Sequence, residues 1–201
     1  MTTRGQNASK ALNDLLEGNA RYSAGEPLFP NQTPQRREEL IPGQNPWAAI
    51  LACSDSRVPP ELLFDQGLGD LFVIRVAGNV ASGTVLGSIE YAVAHLHIPL
   101  LVVLGHSHCG AIGAALSDPE EMEGHIGHVT SAIQPALEMI DFGAAENKVN
   151  VVARIHAKRT AHTLRTSTPV LSEQVHAGRL EVIAAYYDLR SGQVEVLDDA
   201  L

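Results

Sequence analysis

Residues 100–104, Leu100-Leu101-Val102-Val103-Leu104, are wholly aliphatic. A strand with no polar position cannot line water on either face, so this run reads as a central strand covered on both sides. Three more short runs are mostly apolar, at residues 48–53, 71–76 with Arg75 embedded, and 180–187. Segments with helical spacing separate them: residues 82–96, 111–116, 149–166 and 170–178. Strands alternating with helices predict an α/β fold with a central, mainly parallel four-stranded sheet and helices on both faces. After the Ser191-Gly192 turn, residues 193–197 alternate like an antiparallel edge strand.

Upstream of the first strand, Ala11, Leu12, Leu15, Leu16, Ala20 and Tyr22 fall at helical spacing within residues 8–25, and Gly25-Glu26-Pro27 ends that helix. Its apolar stripe needs a surface, and a partner subunit is one candidate. Residues 26–46 are proline-rich and predict an irregular arm with a short helix near residues 36–40. Pro59-Pro60 opens another short helix at residues 61–64. Residues 117–148 read as helical but irregular. With no repeat and no break in composition, the chain is expected to be one domain, residues 1–201, made of an N-terminal arm (1–46) and an α/β core (47–201).

The net charge of −9 leaves no basic excess to neutralise phosphates, so a nucleic-acid partner is not expected. Arg154, Lys158, Arg159 and Arg165 read as one solvated helix face. No apolar stretch approaches the roughly 18 residues that would cross a bilayer, and residues 1–10 lack the apolar centre of a signal peptide. The expected location is the cytoplasm, with no membrane partner. In that reducing setting the chain's two cysteines are better metal ligands than disulfide partners.

Both cysteines sit where chemistry is expected. Ligands of open α/β sheets bind beyond the carboxyl ends of strands. Cys53 ends the first strand, and His106-Ser107-His108-Cys109 follows the third. Cys53, His106 and Cys109 form a Cys₂His set suited to tetrahedral zinc with a fourth position open. His108 competes with His106, but adjacent residues on a turn point apart, and the H-x-x-C spacing favours His106. Cys109 at a helix start is expected to ionise easily. The bland alternative makes the cysteines buried small hydrophobes. Asp55, two residues past Cys53, either takes the fourth zinc position or pairs with Arg57.

These residues resemble the β-class carbonic anhydrases. Cys53-Ser54-Asp55-Ser56-Arg57 and His106-x-x-Cys109-Gly110 carry the resemblance. Arg75-Val76-Ala77-Gly78-Asn79 and Ile89-Glu90-Tyr91-Ala92-Val93 lie between them, and the similarity is strongest over residues 44–113. It implies a zinc enzyme for the reversible hydration of carbon dioxide to bicarbonate and a proton. Cys53, His106 and Cys109 would hold Zn²⁺, and Asp55 and Arg57 would form the catalytic dyad. Gln44, Phe72 and Tyr91 match substrate-pocket residues, Phe72 from across a dimer interface, and the Gly110 amide suits an anion near the metal. The resemblance also implies a homodimer or homotetramer whose N-terminal helix embraces the neighbour. The bicarbonate-inhibited subgroup keeps a tryptophan where this chain has Ile50, and Arg75 is present without being diagnostic. With Gln44 present, the expected site is open: water on zinc and Asp55 paired to Arg57.

Two other readings stay open, a carbon disulfide hydrolase-like zinc enzyme of the same fold and a non-catalytic zinc protein for assembly or sensing. The intact Asp55–Arg57 pair argues against the second. His125-Ile126-Gly127-His128 spells a class I aminoacyl-tRNA synthetase signature, but it lies between helices rather than after a first strand. Those histidines are then a solvated helix face or proton shuttles beside the cleft.

Overall fold

The computed structural model describes residues 7–117, 124–140 and 147–198. Helix α1 spans Ala8–Ala24, opened by the Asn7 side chain, which accepts from the Lys10 amide at 2.9 Å. It is closed by Gly25 in the left-handed region, whose N–H returns to the Arg21 and Tyr22 carbonyls. Helix α2, Pro34–Glu39, starts on a Thr33 cap. Strand β1 is Ala48–Ala52, α3 is Pro60–Leu63 with proline in its first turn, and β2 is Leu71–Arg75. A single 3-10 turn at Ala77–Asn79 leads to α4, Gly83–Leu96, and β3, Leu100–His106. Then come α5, Gly110–Ala115; α6, Ile126–Leu137; α7, Lys148–Thr166; and α8, Val170–His176. Strands β4, Glu181–Tyr187, and β5, Val194–Val196, are the last elements of the described residues. Within the irregular helical stretch expected at 117–148, residues 118–123 and 141–146 lie outside the described residues.

The sheet runs in the order β2-β1-β3-β4-β5, parallel except for the antiparallel β4–β5 pair. Successive side chains alternate between two cores, as the pleat requires. Ala48, Ile50 and Ala52 of β1, with Leu100, Val102 and Leu104 of β3, pack under α1 and α3. Ala49, Leu51 and Cys53, with Leu101 and Val103, pack under α4 to α8. Every residue of β1 and β3 is buried, which is why both read as unbroken apolar runs. Strand β2 is apolar up to Arg75 yet only half-buried, because it is the sheet's edge.

The apolar stripe of α1 covers the chain's own sheet. Ala11 and Leu15 are buried against β1 and β3. At Gly18 the helix touches α3 so closely that a Cβ would lie 1.9 Å from the Phe64 carbonyl oxygen. Asn19 completes the lock: its Nδ2 donates to the Leu63 and Gly192 carbonyls, and its Oδ1 accepts from the Val194 amide. Of the rest of the stripe, Leu12, Leu16 and Tyr22 stay half-buried and Ala20 is exposed.

The arm is pinned by two buried carboxylates. Asp65 accepts from the Leu28 and Phe29 amides and from Arg21 Nε at 2.7 Å; Asp70 accepts from Asn31 Nδ2 and the Gly67 amide. On the opposite face α7 lies directly on β3. At Gly105 a Cβ would come within 2.9 Å of the Ala153 carbonyl oxygen, so only glycine admits the helix this close to His106. Among the described residues no helix is long and apolar enough to cross a membrane.

Candidate metal centre

The carboxyl ends of β1 and β3 are neighbours, with Ala52 opposite Leu104. Cys53 leaves β1 one residue later, His106 ends β3, and Cys109 is the N-cap of α5. The Cys53 and Cys109 sulfurs and a His106 ring nitrogen all lie within 4.8 Å of one another, and all three residues are buried. The sulfurs are 4.0 Å apart. Two thiolates on one tetrahedral zinc, each at about 2.3 Å, would stand about 3.8 Å apart.

His106 Nδ1 is 2.9 Å from the Ser107 carbonyl, an acceptor only, so Nδ1 carries the proton and Nε2 is a bare lone pair. That Nε2 is fully buried without a hydrogen-bond partner. A buried, unpartnered imidazole nitrogen facing two cysteine sulfurs costs stability unless something electrophilic sits between them. The donor set, its spacing and the oriented tautomer fit zinc.

The two thiols share their protons unequally. A hydrogen bond from the Cys109 thiol, with the backbone amides of Asp55 and Gly78 adding to it against the penalty of burial, brings Cys53 down to about 4. Cys109 is pushed up, first by that bond to Cys53 and then by burial. The expectation that Cys109 ionises easily at its helix start is not met. The Ala111 and Ile112 amides of the α5 first turn do act in the expected direction, but the neighbouring Cys53 sulfur outweighs them.

Asp55 turns to Arg57. Nε donates to Oδ1 at 2.9 Å and Nη2 to Oδ2 at 2.7 Å, and the Arg57 amide adds a third bond to Oδ1. The guanidinium's hydrogen bonds hold the Asp55 carboxyl at about 2, below the usual carboxylate range. Arg57 Nη2 also reaches the His108 carbonyl at 3.2 Å, so the pair bridges the two loops that carry the cysteines. His108 lies in the left-handed region and its amide donates to Asn150 Oδ1. It is not among the three clustered ligands.

Gly110, exposed, is the first residue of α5. Gln44, Phe72 and Tyr91 are not brought to this cluster. Gln44 is exposed ahead of β1, at the other end of the strand from Cys53. Phe72 pairs with Ala49, four residues before Cys53, or about 13 Å down the strand. Its ring is 6.3 Å from that of Tyr91, which is half-exposed on α4 and 5.1 Å from His95. Ile50 points to the opposite face of the sheet from Cys53. His125 and His128 stack on each other, 5.8 Å apart, at the exposed start of α6.

Three contributors had no role at the centre in the sequence reading. Arg75 donates from Nε to the Cys53 carbonyl and from Nη2 to the Asp55 carbonyl, tying the edge strand to the loop. The Gly78 amide donates to Cys53 Sγ at 3.3 Å, and His156 of α7 is 2.9 Å from the Gly78 carbonyl. A signal for His156 did exist: it shares the inward stripe Val152, Ala153, Ala157, Thr160, Ala161 and Leu164 at helical spacing.

A protein-family model described as carbonic anhydrase matches residues 48–194. The carbonic anhydrase of Mycolicibacterium smegmatis is 43% identical over 192 residues, covering 94% of this chain and 93% of that one. Carbonic anhydrase 2 of Mycobacterium tuberculosis is 39% identical, covering 96% and 94%. Among solved structures, a tetrameric β-carbonic anhydrase from Sordaria macrospora superposes with a TM-score of 0.75 at 28% identity, over 92% of this chain and 96% of that one. The β-carbonic anhydrase CcaA gives 0.76 at 28% identity, covering 93% and 95%.

Proposed function

Since the chain belongs to the β-class carbonic anhydrases, we propose that Asp55 and Arg57 are the catalytic pair of its zinc centre, serving the reversible hydration of carbon dioxide to bicarbonate and a proton. The observation that carries this reading is the buried, unpartnered His106 Nε2 among two cysteine sulfurs, beside a carboxylate gripped by a guanidinium.

Cys53, His106 Nε2 and Cys109 would hold the zinc. When bound, it supplies a Lewis-acid position that makes a nucleophile of water near neutral pH. Asp55 orients that nucleophile. Its Oδ1 is taken by the Arg57 amide and Nε, while Oδ2 accepts a single bond and keeps a lone pair for the hydroxyl proton. A proton held there would leave the nucleophile's oxygen free to meet carbon dioxide. Arg57 fixes the carboxylate's plane and, through the His108 carbonyl, its distance from the Cys109 loop. Gly110 offers a backbone N–H to the bicarbonate anion, and the released proton passes to buffer.

Gln44, Phe72 and Tyr91 then belong to substrate binding in an assembled homodimer or homotetramer, each serving a neighbour's centre. Their separation from their own centre supports this, as does the exposure of Leu28, Phe29, Ile41 and Tyr91. Two unpaired cysteines 4.0 Å apart suit the reducing cytoplasm.

Stopped-flow carbon dioxide hydration on zinc-replete protein, beside Asp55→Ala, tests the reading. Turnover in the wild type that falls at least about a hundredfold in the variant is the expected result. No turnover in the wild type between pH 7 and 9 overturns it.

A further inference from the structure

His106 apart, His156 is the only buried histidine among the described residues, and nothing in the reaction uses it. It projects from the inward face of α7 into an otherwise apolar stripe. A leucine there would pack at no polar cost, whereas an imidazole must find a partner. Its partner is the Gly78 carbonyl, 2.9 Å from Nε2. A carbonyl only accepts, so Nε2 carries the proton and donates. Burial drives the ring's pKa down to about 4, which keeps it neutral with a single N–H to give.

Gly78 is held on every side. Its backbone is left-handed, with φ 67° and ψ 17°. A Cβ there would lie 2.9 Å from Ile133 Cδ1 and 3.2 Å from Ala111 Cβ. In this conformation its carbonyl meets α7 while its amide meets Cys53 Sγ at 3.3 Å. The two groups belong to successive peptide planes, so His156 acts on Cys53 by fixing the orientation of Gly78 and not by polarising one amide.

We propose that His156 is a positioning residue of the metal centre: by clamping the Gly78 carbonyl it keeps the Gly78 amide aimed at the Cys53 sulfur. That N–H···S bond stabilises the thiolate and draws electron density from it, which sets how strongly Cys53 holds and donates to the metal. The proposal rests on Cys53, His106 and Cys109 holding zinc.

Two variants separate positioning from simple packing. His156→Gln keeps an N–H donor near the place of Nε2, and His156→Leu keeps apolar bulk without a donor. Zinc affinity is measured by chelator competition, and the thiolate-to-metal charge-transfer band is recorded on cobalt-loaded protein. His156→Leu is expected to lose about tenfold to a hundredfold in zinc affinity, the range typical of a group that orients a ligand, with the cobalt band moved to lower energy. His156→Gln is expected to restore both towards wild type. A folded His156→Leu with wild-type zinc affinity and an unmoved band, whatever its melting temperature, overturns the proposal.

Should His156→Leu not fold, the wild type itself decides. With cadmium-113 in the site, a scalar coupling to the Gly78 amide proton through the Cys53 sulfur, together with an Nε2–H tautomer at His156, is the expected result. Absence of the coupling, or an Nδ1–H tautomer, overturns it. A wild type that binds no zinc fails the functional reading as well, whereas equal affinity across wild type, Leu and Gln variants fails this proposal alone.

Discussion

Arg57 meets Asp55 through two parallel hydrogen bonds, Nε to Oδ1 at 2.9 Å and Nη2 to Oδ2 at 2.7 Å, and no lysine can reproduce that fork. Arg57→Lys keeps the charge and loses the geometry. One charge-assisted bond is worth about 1.5–3 kcal/mol, so kcat for hydration is expected to fall about tenfold to a hundredfold while zinc content is unchanged. Stopped-flow kinetics with metal analysis on the same preparation check this, and wild-type kcat in the variant would remove the pair from catalysis.

Zinc should be present at about one per chain in the wild type and lost in Cys53→Ser, because only three candidate ligands cluster there among the described residues and a serine hydroxyl is a poor replacement for a thiolate. His108→Ala should keep its zinc, since His108 stands outside the clustered ligands. Elemental analysis after exhaustive dialysis distinguishes the two outcomes.

Asp65 anchors the arm at acid cost. Burial alone would raise its pKa, but the Leu28 and Phe29 amides and Arg21 outweigh it, and the folded value lies below the usual one. A carboxylate with a depressed folded pKa stabilises the fold above its unfolded value of about 3.9 and loses that contribution as pH falls through the folded value. Asp65→Asn should therefore be less stable than wild type at pH 7, with the gap narrowing below about pH 4. Denaturant melts at both pH values measure it.

His156 works in a different window. Its folded pKa of about 4 lies below the unfolded 6.5, so the unfolded chain binds the extra proton between those values. Its contribution is complete above pH 6.5 and is lost as pH falls towards 4, about 2 kcal/mol by pH 4.5. His156→Gln does not titrate, and its stability relative to wild type should rise by that amount between pH 7 and 4.5. A constant difference across the window would show that the ring is not buried neutral.

At Gly18, replacing hydrogen by methyl favours the helix by about 1 kcal/mol but puts a Cβ 1.9 Å from a backbone oxygen that cannot swing away. The clash wins. Gly18→Ala should lower stability by about 1–3 kcal/mol, read as a fall in melting temperature. An unchanged melting temperature would mean that α1 does not lie on its own sheet.

Local pattern was enough for much of this molecule. Unbroken apolar runs placed the parallel strands and period-3.6 spacing the long helices, because burial on two faces or on one imposes those patterns on the residues themselves. Cys53, His106 and Cys109 were readable as one cluster because strand ends of a parallel sheet converge, so a motif after each strand predicts a shared site. The exposure of β2 was not readable: an apolar run looks alike at the centre and the edge, and only strand order separates them.

What the sequence determined by itself was the set of chemical groups and the strand ends that bear them. The tertiary structure decided their states. Which thiol keeps its proton depends on a sulfur 56 positions away in the chain, 4.0 Å away in space. Which nitrogen of His106 is bare follows from the carbonyl that its ring meets. The contact from His156 to Gly78 joins residues 78 positions apart, and the helical stripe that buries His156 does not say what its ring meets. Protonation, tautomer and orientation are set by distances of about 3–4 Å, and distances of that kind exist only once the chain has folded.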